Sequence, residues 1–305
     1  MTRSLRRVGA VASSFFIFVL IAACGGGSSN VASTSASSCP NGGTVRMGVE
    51  PFDDASLLLP VYQQIIDQIQ WKLGCTVQLN ITNNYTAEVE AMRAKQLDVG
   101  EFGPLGYVFA HSLANAEPVA TFADQTGTPL TYYASIVTWP GSGINTLADL
   151  KGKKFAYSDP ASTSGHLFPA YALKKAGIDP DNGIQAVYAG THTASFLAIK
   201  NHKVDAGELN SDRIAAATKT GDYTAAQFPT LWKSDPIPQD PLTVRGDLPQ
   251  AFKDKFTAAL LAVNLSIIPD PKGELIGPKM VAQTDSPYQQ IRDLSTVLGI
   301  DVNHI

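Results

Sequence analysis

The chain has 305 residues, of which 44% are hydrophobic and 16% charged, enough apolar material for one large or two medium globular domains. A formal charge of −4 leaves no basic footprint for nucleic acid. The first 23 residues hold Arg3, Arg6 and Arg7 and no acid, so without them the remainder stands at −7, a mildly acidic body.

The N-terminus, "MTRSLRRVGAVASSFFIFVLIAAC", combines a basic start, an apolar run of signal-peptide length and small residues before a cysteine. It is too short and one-sided for a membrane span. Ile21-Ala22-Ala23-Cys24 resembles a bacterial lipobox, which implies cleavage before Cys24 and a lipid on its sulfur. A plain secretory signal with an incidental cysteine is the alternative. Residues 1–23 are thus read as a signal peptide, and 24–41, with "GGGSSNVASTSASS", as a lipidated flexible tether. The protein is expected to be exported and anchored to the outer face of the cytoplasmic membrane or in the periplasm. Export permits a disulfide between Cys39 and Cys75 or leaves two thiols, and the sequence does not decide. Two distant cysteines and five scattered histidines show no metal-ligand spacing.

From residue 44 strand-like and helix-like segments alternate. "TVRMGV" (44–49) reads as a buried strand and "SLLLPVYQQIIDQIQWKLG" (56–74) as an amphipathic helix. "TVQLNIT" (76–82) is a strand, "TAEVEAMRAKQ" (86–96) a helix, and "LDVGEFG" (97–103) a short strand running into glycine. After the longer strand "YYASIVTW" (132–139) the order repeats. "TLADLKG" (146–152) is a short helix, "KKFAYS" (153–158) a strand, and a helix follows the loop "DPASTSG". "IQAVYAG" (184–190), "TASFLAIKNHK" (193–203) and "VDAGELN" (204–210) are strand, helix and strand. "TLWKSDPIP" and "PLTVRGDL" (230–238, 241–248) leave the second unit, and "PQAFKDKFTAALLAVN" (249–264) is a further helix. The prediction is an α/β fold with mostly parallel sheets. It has two lobes: 42–131 plus 245–305, and an inserted lobe, 132–244.

Strand, loop and helix around 153–177 aim the unpaired N–H groups of a helix start at whatever lies in front of it. Ser162, Thr163 and Ser164 add hydroxyl donors, and Gly165 allows close backbone approach. An N-cap needs only one of these hydroxyls; three in a row and a glycine point to an anion. Further candidates follow strands: Tyr85, Phe102, Gly103, His192, Asp212 and Asp240, which could converge beyond the strand ends. Singly, each has a plainer reading, Tyr85 as packing, His192 as a helix-start residue and Asp240 as a turn former.

"NYTAEVEAMRAKQLDVGEFG", "DPASTSGHLFPAYAL", "AGTHTASFLAIKNHKVDAGELNSD" and "LWKSDPIPQDPLTVRGDL" together resemble the phosphate/phosphite/phosphonate substrate-binding proteins of ABC importers, over about residues 44–265. The resemblance implies a two-lobed, type II-like periplasmic-binding-protein fold with a hinge. It implies a small phosphorus oxyanion as ligand, and a permease with a separate ATPase subunit as partner. It implies no cofactor. Residues 162–165, Tyr85 and His192 would hold the phosphorus-bound oxygens. Asp212 stands where an aminoalkylphosphonate binder has a glutamate for an ammonium, and Asp240 matches that family's second carboxylate. Either acid could accept a P–OH hydrogen. Phe102 replaces an aromatic hydroxyl, which favours phosphite or a simple phosphonate. The dimerising C-terminal extension of some members is missing, so a monomer is expected.

The chain has no G-x-S-x-G elbow for a serine hydrolase and no P-loop for ATP. "DPDNG" (179–183) lacks the remaining ligands of a calcium loop and reads as a turn. A lipoprotein esterase is the enzymatic rival, and a ligand-presenting sensor the rival within binding.

Overall fold

The computed structural model describes residues 39–269 and 277–305. The expected signal peptide, the expected lipidation site Cys24 and most of the expected tether lie outside the described residues.

Strand β1 (Thr44–Val49) leads into α1 (Ala55–Leu73), which starts where the Asp54 carboxylate accepts from Ser56 N and stops at Gly74, whose φ of 66° ends the helical run. Next come β2 (Thr76–Ile81), α2 (Tyr85–Arg93), β3 (Val99–Glu101), α3 (Pro104–Ala114) and β4 (Ala116–Ala123). The short β5 (Thr131–Tyr132) precedes β6 (Ala134–Thr138), β7 (Lys154–Tyr157) and α4 (Phe168–Lys175). The chain continues through β8 (Gln185–Tyr188), α5 (His192–Lys200), β9 (Ala206–Asn210), α6 (Ser211–Lys219), β10 (Thr230–Lys233) and β11 (Ile237–Pro238). It closes with β12 (Pro241–Arg245), α7 (Gln250–Leu261), β13 (Lys279–Ala282) and α8 (Gln289–Leu298).

These strands form two principal sheets, ordered β13-β4-β12-β3-β1-β2 and β10-β6-β9-β7-β8, with β5 and β11 paired as a small antiparallel link. The two-lobed α/β arrangement is therefore present, but the sheets are mixed rather than mostly parallel. β2, β3 and β4 share the direction of β1, whereas β12, between β3 and β4, and β13, at the edge, run antiparallel to them. The reason is the crossing: a chain that leaves the first sheet and comes back re-enters it in the opposite direction. Strand β12 pairs with β3 and β4, so by sheet membership the return begins at Pro241 rather than after residue 244. The tail also returns, with β13 on β4, while α8 packs against both α3 and α4.

The apolar face of α1 (Leu58, Tyr62, Ile65, Ile66, Ile69) covers the first sheet together with Phe252 and Phe256 of α7. Phe155, Tyr157 and Leu173 pack one face of the second sheet, and Phe196, Ile199 and Leu209 the other. Each such side chain contributes about 1.5–3 kcal/mol on burial.

Cys39 and Cys75 are joined in a disulfide that closes 36 residues of chain. Restricting a loop of that size in the unfolded chain stabilises the fold by about 3–4 kcal/mol. Cys75→Ser is accordingly expected to lower the unfolding free energy by that amount, read as a fall in the urea midpoint, with anion affinity unchanged when measured below the transition. An unaltered midpoint would show the bond to be energetically idle.

Candidate functional site

Most crossovers end in a capped helix start, and these starts face one cavity. Asn84 accepts from Ala87 N at 2.7 Å and opens α2, which puts Tyr85 at its first position. Thr191 accepts from Ala194 N at 3.0 Å and opens α5 at His192. Asn210 accepts from Arg213 N at 2.7 Å and opens α6, with Asp212 in its first turn. Ser162 caps a π-helical turn over Thr163–Leu167 that continues into α4.

The cavity measures about 220 Å³, and its lining includes Tyr85, Gly103, Ser162, Thr163, Ser164, His192, Asp212 and Asp240, drawn from both sheets. Eight of the ten expected binding residues thus converge. Two do not. Phe102 is wholly buried in an apolar cluster with Tyr85, Leu105 and Tyr107, so its missing hydroxyl does not shape the cavity. Gly165 lies behind the lining. A Cβ there would stand 1.7 Å from Ser158 Oγ, and its N–H donates to Ser162 Oγ at 3.1 Å. Packing of the turn therefore by itself calls for glycine at this position.

Each polar group has an assigned state. The Ser162 hydroxyl serves the cap, and Thr163 Oγ1 accepts from Leu105 N at 2.8 Å. The N–H groups of Thr163 and Ser164 take no acceptor among the described residues, which leaves them aimed out of the helix start. The Gly103 N–H is not available, because it donates to Glu50 Oε2 at 2.7 Å.

His192 Nδ1 lies 3.0 Å from both oxygens of Glu208, a carboxylate with no exposure. Burial by itself would lower the histidine pKa. The charge and hydrogen bond of Glu208, with Asp53 and Asp212 beyond, instead hold it above the ordinary histidine range. With Nδ1 bound to Glu208, Nε2–H is the donor this ring has left for a ligand. The Arg213 guanidinium also reaches the lining, but it pairs with Asp53 and lies 2.9 Å from Thr193 Oγ1.

The carboxyls opposite are unusual for a site facing an anion. Burial, then the nearby charges of Glu101 and Asp212, push Asp240 well above the usual carboxyl range. Burial raises Asp212 too, opposed by hydrogen bonds from Gln239 and Ser211 and by His192. Glu50 is raised well above its usual range by burial and by Glu88, against the Gly103 hydrogen bond. Behind them burial pushes Glu101 up to about 7, although Tyr62 donates to it at 2.7 Å. Burial thus shifts all four acids toward the protonated form, which makes the cavity wall less negative than ordinary carboxylates would.

Reading the sequence alone misses Glu50, Asp53, Tyr132, Arg213 and Glu208. Tyr132, buried on β5, supplies an aromatic hydroxyl to the lining. Glu50 and Asp53 follow β1 as the other candidates follow their strands, and that position was the available signal. Glu208 sits inside a strand, and nothing local marks it. Among the described residues no group of three His, Cys, Asp or Glu side chains could hold a metal.

Residues 47–276 match the family model described as ABC transporter, phosphonate, periplasmic substrate-binding protein. The chain is similar to the phosphate-import protein PhnD of Mycolicibacterium smegmatis, 32% identical over 216 residues, covering 67% of this chain and 66% of that protein. It is 28% identical over 217 residues to the phosphonates-binding periplasmic protein of Escherichia coli, covering 70% and 64%. The matches therefore span slightly under two thirds of the length of these curated relatives. The structure is similar to that of PhnD1 from Prochlorococcus marinus in complex with methylphosphonate, with a TM-score of 0.74 at 21% identity, covering 85% of this chain and 99% of that one. At that identity the likeness is one of fold.

Proposed function

The chain belongs to the phosphonate periplasmic substrate-binding protein family of ABC transporters, and from this premise we propose that it captures a phosphonate or a reduced phosphorus oxyanion and delivers it to a membrane permease. The observation that carries the proposal is the facing of unlike groups across one small cavity. Two free helix N–H groups and the His192 ring lie with the residues that line it, and Asp240, which burial shifts toward its protonated form, faces the same space.

Such a cavity suits a tetrahedral oxyanion that shares a hydrogen with a carboxyl. The helix start contributes partial positive charge. Tyr85, Tyr132 and Ser164 contribute neutral hydroxyls, and His192 contributes the full charge. The lobes expected as 42–131 plus 245–305 and 132–244 are kept, except that strand β12 carries residues 241–244 into the first lobe. In this reading the mature protein is a monomer, exported, lipid-anchored through Cys24 and served by a permease with its own ATPase.

Catalysis is disfavoured by the serine geometry. The His192–Glu208 pair resembles the acid–base half of a hydrolytic relay, but a nucleophile must bond to the histidine. Among the described residues neither Ser162 nor Ser164 bonds to His192, and Ser162 Oγ is occupied by the Gly165 N–H.

A thermal-shift panel of phosphate, phosphite, hypophosphite, methylphosphonate and 2-aminoethylphosphonate tests the proposal. A cognate ligand at a hundred times its Kd adds about 2.7 kcal/mol, or roughly 5–10 °C for a chain of this size. The largest shifts are expected from phosphite and methylphosphonate. A shift with phosphate alone would refute a reduced-phosphorus or C–P ligand.

A further inference from the structure

The outer face of α1 carries the most exposed large apolar side chain among the described residues, Trp71, which is 81% exposed. The Lys72 ammonium stands 5.1 Å from its ring centroid. One turn before Trp71, Gln68 donates to Asn264 O at 3.2 Å and accepts from Asn264 N at 2.8 Å. These two bonds tie α1 to the segment after α7, where Ile267 is 67% exposed, and Leu261, the last residue of α7, is 40% exposed beside it in sequence. Lys255 of α7 extends toward the end of α1, its Nζ 4.0 Å from where a Gly74 Cβ would stand. The acids on the same helices are engaged: Asp67 accepts from Gln63 at 2.9 Å and Asp254 from Gln250 at 2.7 Å.

An indole and two aliphatic side chains flanked by lysines on long stems match the water–lipid boundary. There the indole sits at headgroup depth, and ammonium groups reach anionic phosphates. The covalent path determines which surface this face meets. Cys39, at the end of the tether, is bonded to Cys75, two residues past the end of α1. Trp71 therefore lies about one helical turn from the point where the tether is held to the body. The 15 residues from Cys24 to Cys39 reach at most about 50 Å, so an anchored chain keeps this face at high local concentration near the bilayer.

We infer that the face centred on Trp71, with Lys72, Lys255, Leu261 and Ile267, is a membrane-docking surface that rests on anionic lipid headgroups beside the anchor. It lies toward the far end of the 19-residue α1 from the cavity, so docking leaves the cavity uncovered. The inference rests on the proposed lipidation of Cys24 and is independent of the identity of the anion.

The test uses the mature, lipid-modified full chain in vesicles of phosphatidylethanolamine and phosphatidylglycerol with brominated acyl chains. Flotation reports the anchor, and bromine quenching of tryptophan emission reports docking. Quenching is expected in the unsubstituted protein. Its absence from Trp71→Phe would assign the signal, with Trp139 and Trp232 unaffected. The double variant Lys72→Glu, Lys255→Glu, which keeps Trp71, is expected to lose at least half of the quenching. Flotation without quenching, or quenching that appears only when a permease is added, overturns docking while leaving the anchor intact. Failure to float overturns the anchor, and this face with it.

Discussion

Replacing His192 by alanine is expected to weaken anion binding by ten- to a hundredfold and to cost about 3–5 kcal/mol of stability, the largest loss of any single change in the site. The two effects have separate causes. A hydrogen bond from a charged donor to an anion contributes about 1.5–3 kcal/mol, and His192 lines the cavity with one ring nitrogen uncommitted. The stability loss arises on the other side of the ring. Glu208 has no exposure, and without the imidazole its carboxylate remains buried and uncompensated. The pH dependence has a defined sign. His192 has a folded pKa above its ordinary value, so the stability it confers is complete below the ordinary histidine range and is lost as pH rises through the raised value. Urea titrations at several pH values should show this alkaline decline in the parent and its absence in His192→Ala. His192→Ala, Glu208→Gln separates the effects: it should regain stability without regaining affinity. An unimpaired titration of the anion by His192→Ala would remove the histidine from the binding site.

Asp240→Asn is the second large expectation, a ten- to hundredfold loss of affinity for a cognate phosphonate or phosphite near neutral pH. Burial and then the charges of Glu101 and Asp212 oppose ionisation of Asp240 and favour its protonated form. When an oxyanion enters, one proton lies between carboxyl and ligand, whichever partner carries it formally. Such a charge-assisted bond is roughly twice as strong as a neutral one, and an amide cannot share the proton. As pH rises through the raised value, the parent cavity gains a carboxylate facing an anion, so its affinity falls. The neutral amide removes one proton from that dependence and flattens the decline. Calorimetric titration across pH measures both quantities. Equal affinity and equal slope in the two proteins would eliminate the shared proton.

The history of Asp240 and Phe102 shows what local sequence conveys. Position after a strand end, plus capping chemistry, was enough to collect Tyr85, Gly103, Ser162, Thr163, Ser164, His192, Asp212 and Asp240 as candidates, because helix starts that follow strands face a common edge. The same rule misdirected Phe102: its backbone follows β3, but its side chain turns into an apolar cluster. For Gly165 the local sequence suggests room for a ligand, and it gives no sign of Ser158, close only in space, whose hydroxyl a side chain there would meet. Helix α3 went unread because "PLGYVFAHSLA" is apolar on nearly every side and carries little periodic contrast. Glu208 was invisible for a related reason, since a strand position says nothing of the imidazole lying against it.

From residue order alone came the α/β alternation, the expectation of export, the hydroxyl-rich helix start and the set of loops in which a ligand would be sought. These are local properties, written in periodicity, caps and turn chemistry within about a dozen residues. Folding decided which sheet β12 joins, that Cys39 bonds Cys75, and that burial shifts the acids around the cavity toward their protonated forms. Pairing and protonation depend on neighbours brought from distant parts of the chain and on the water excluded between them, and no local stretch of sequence carries either.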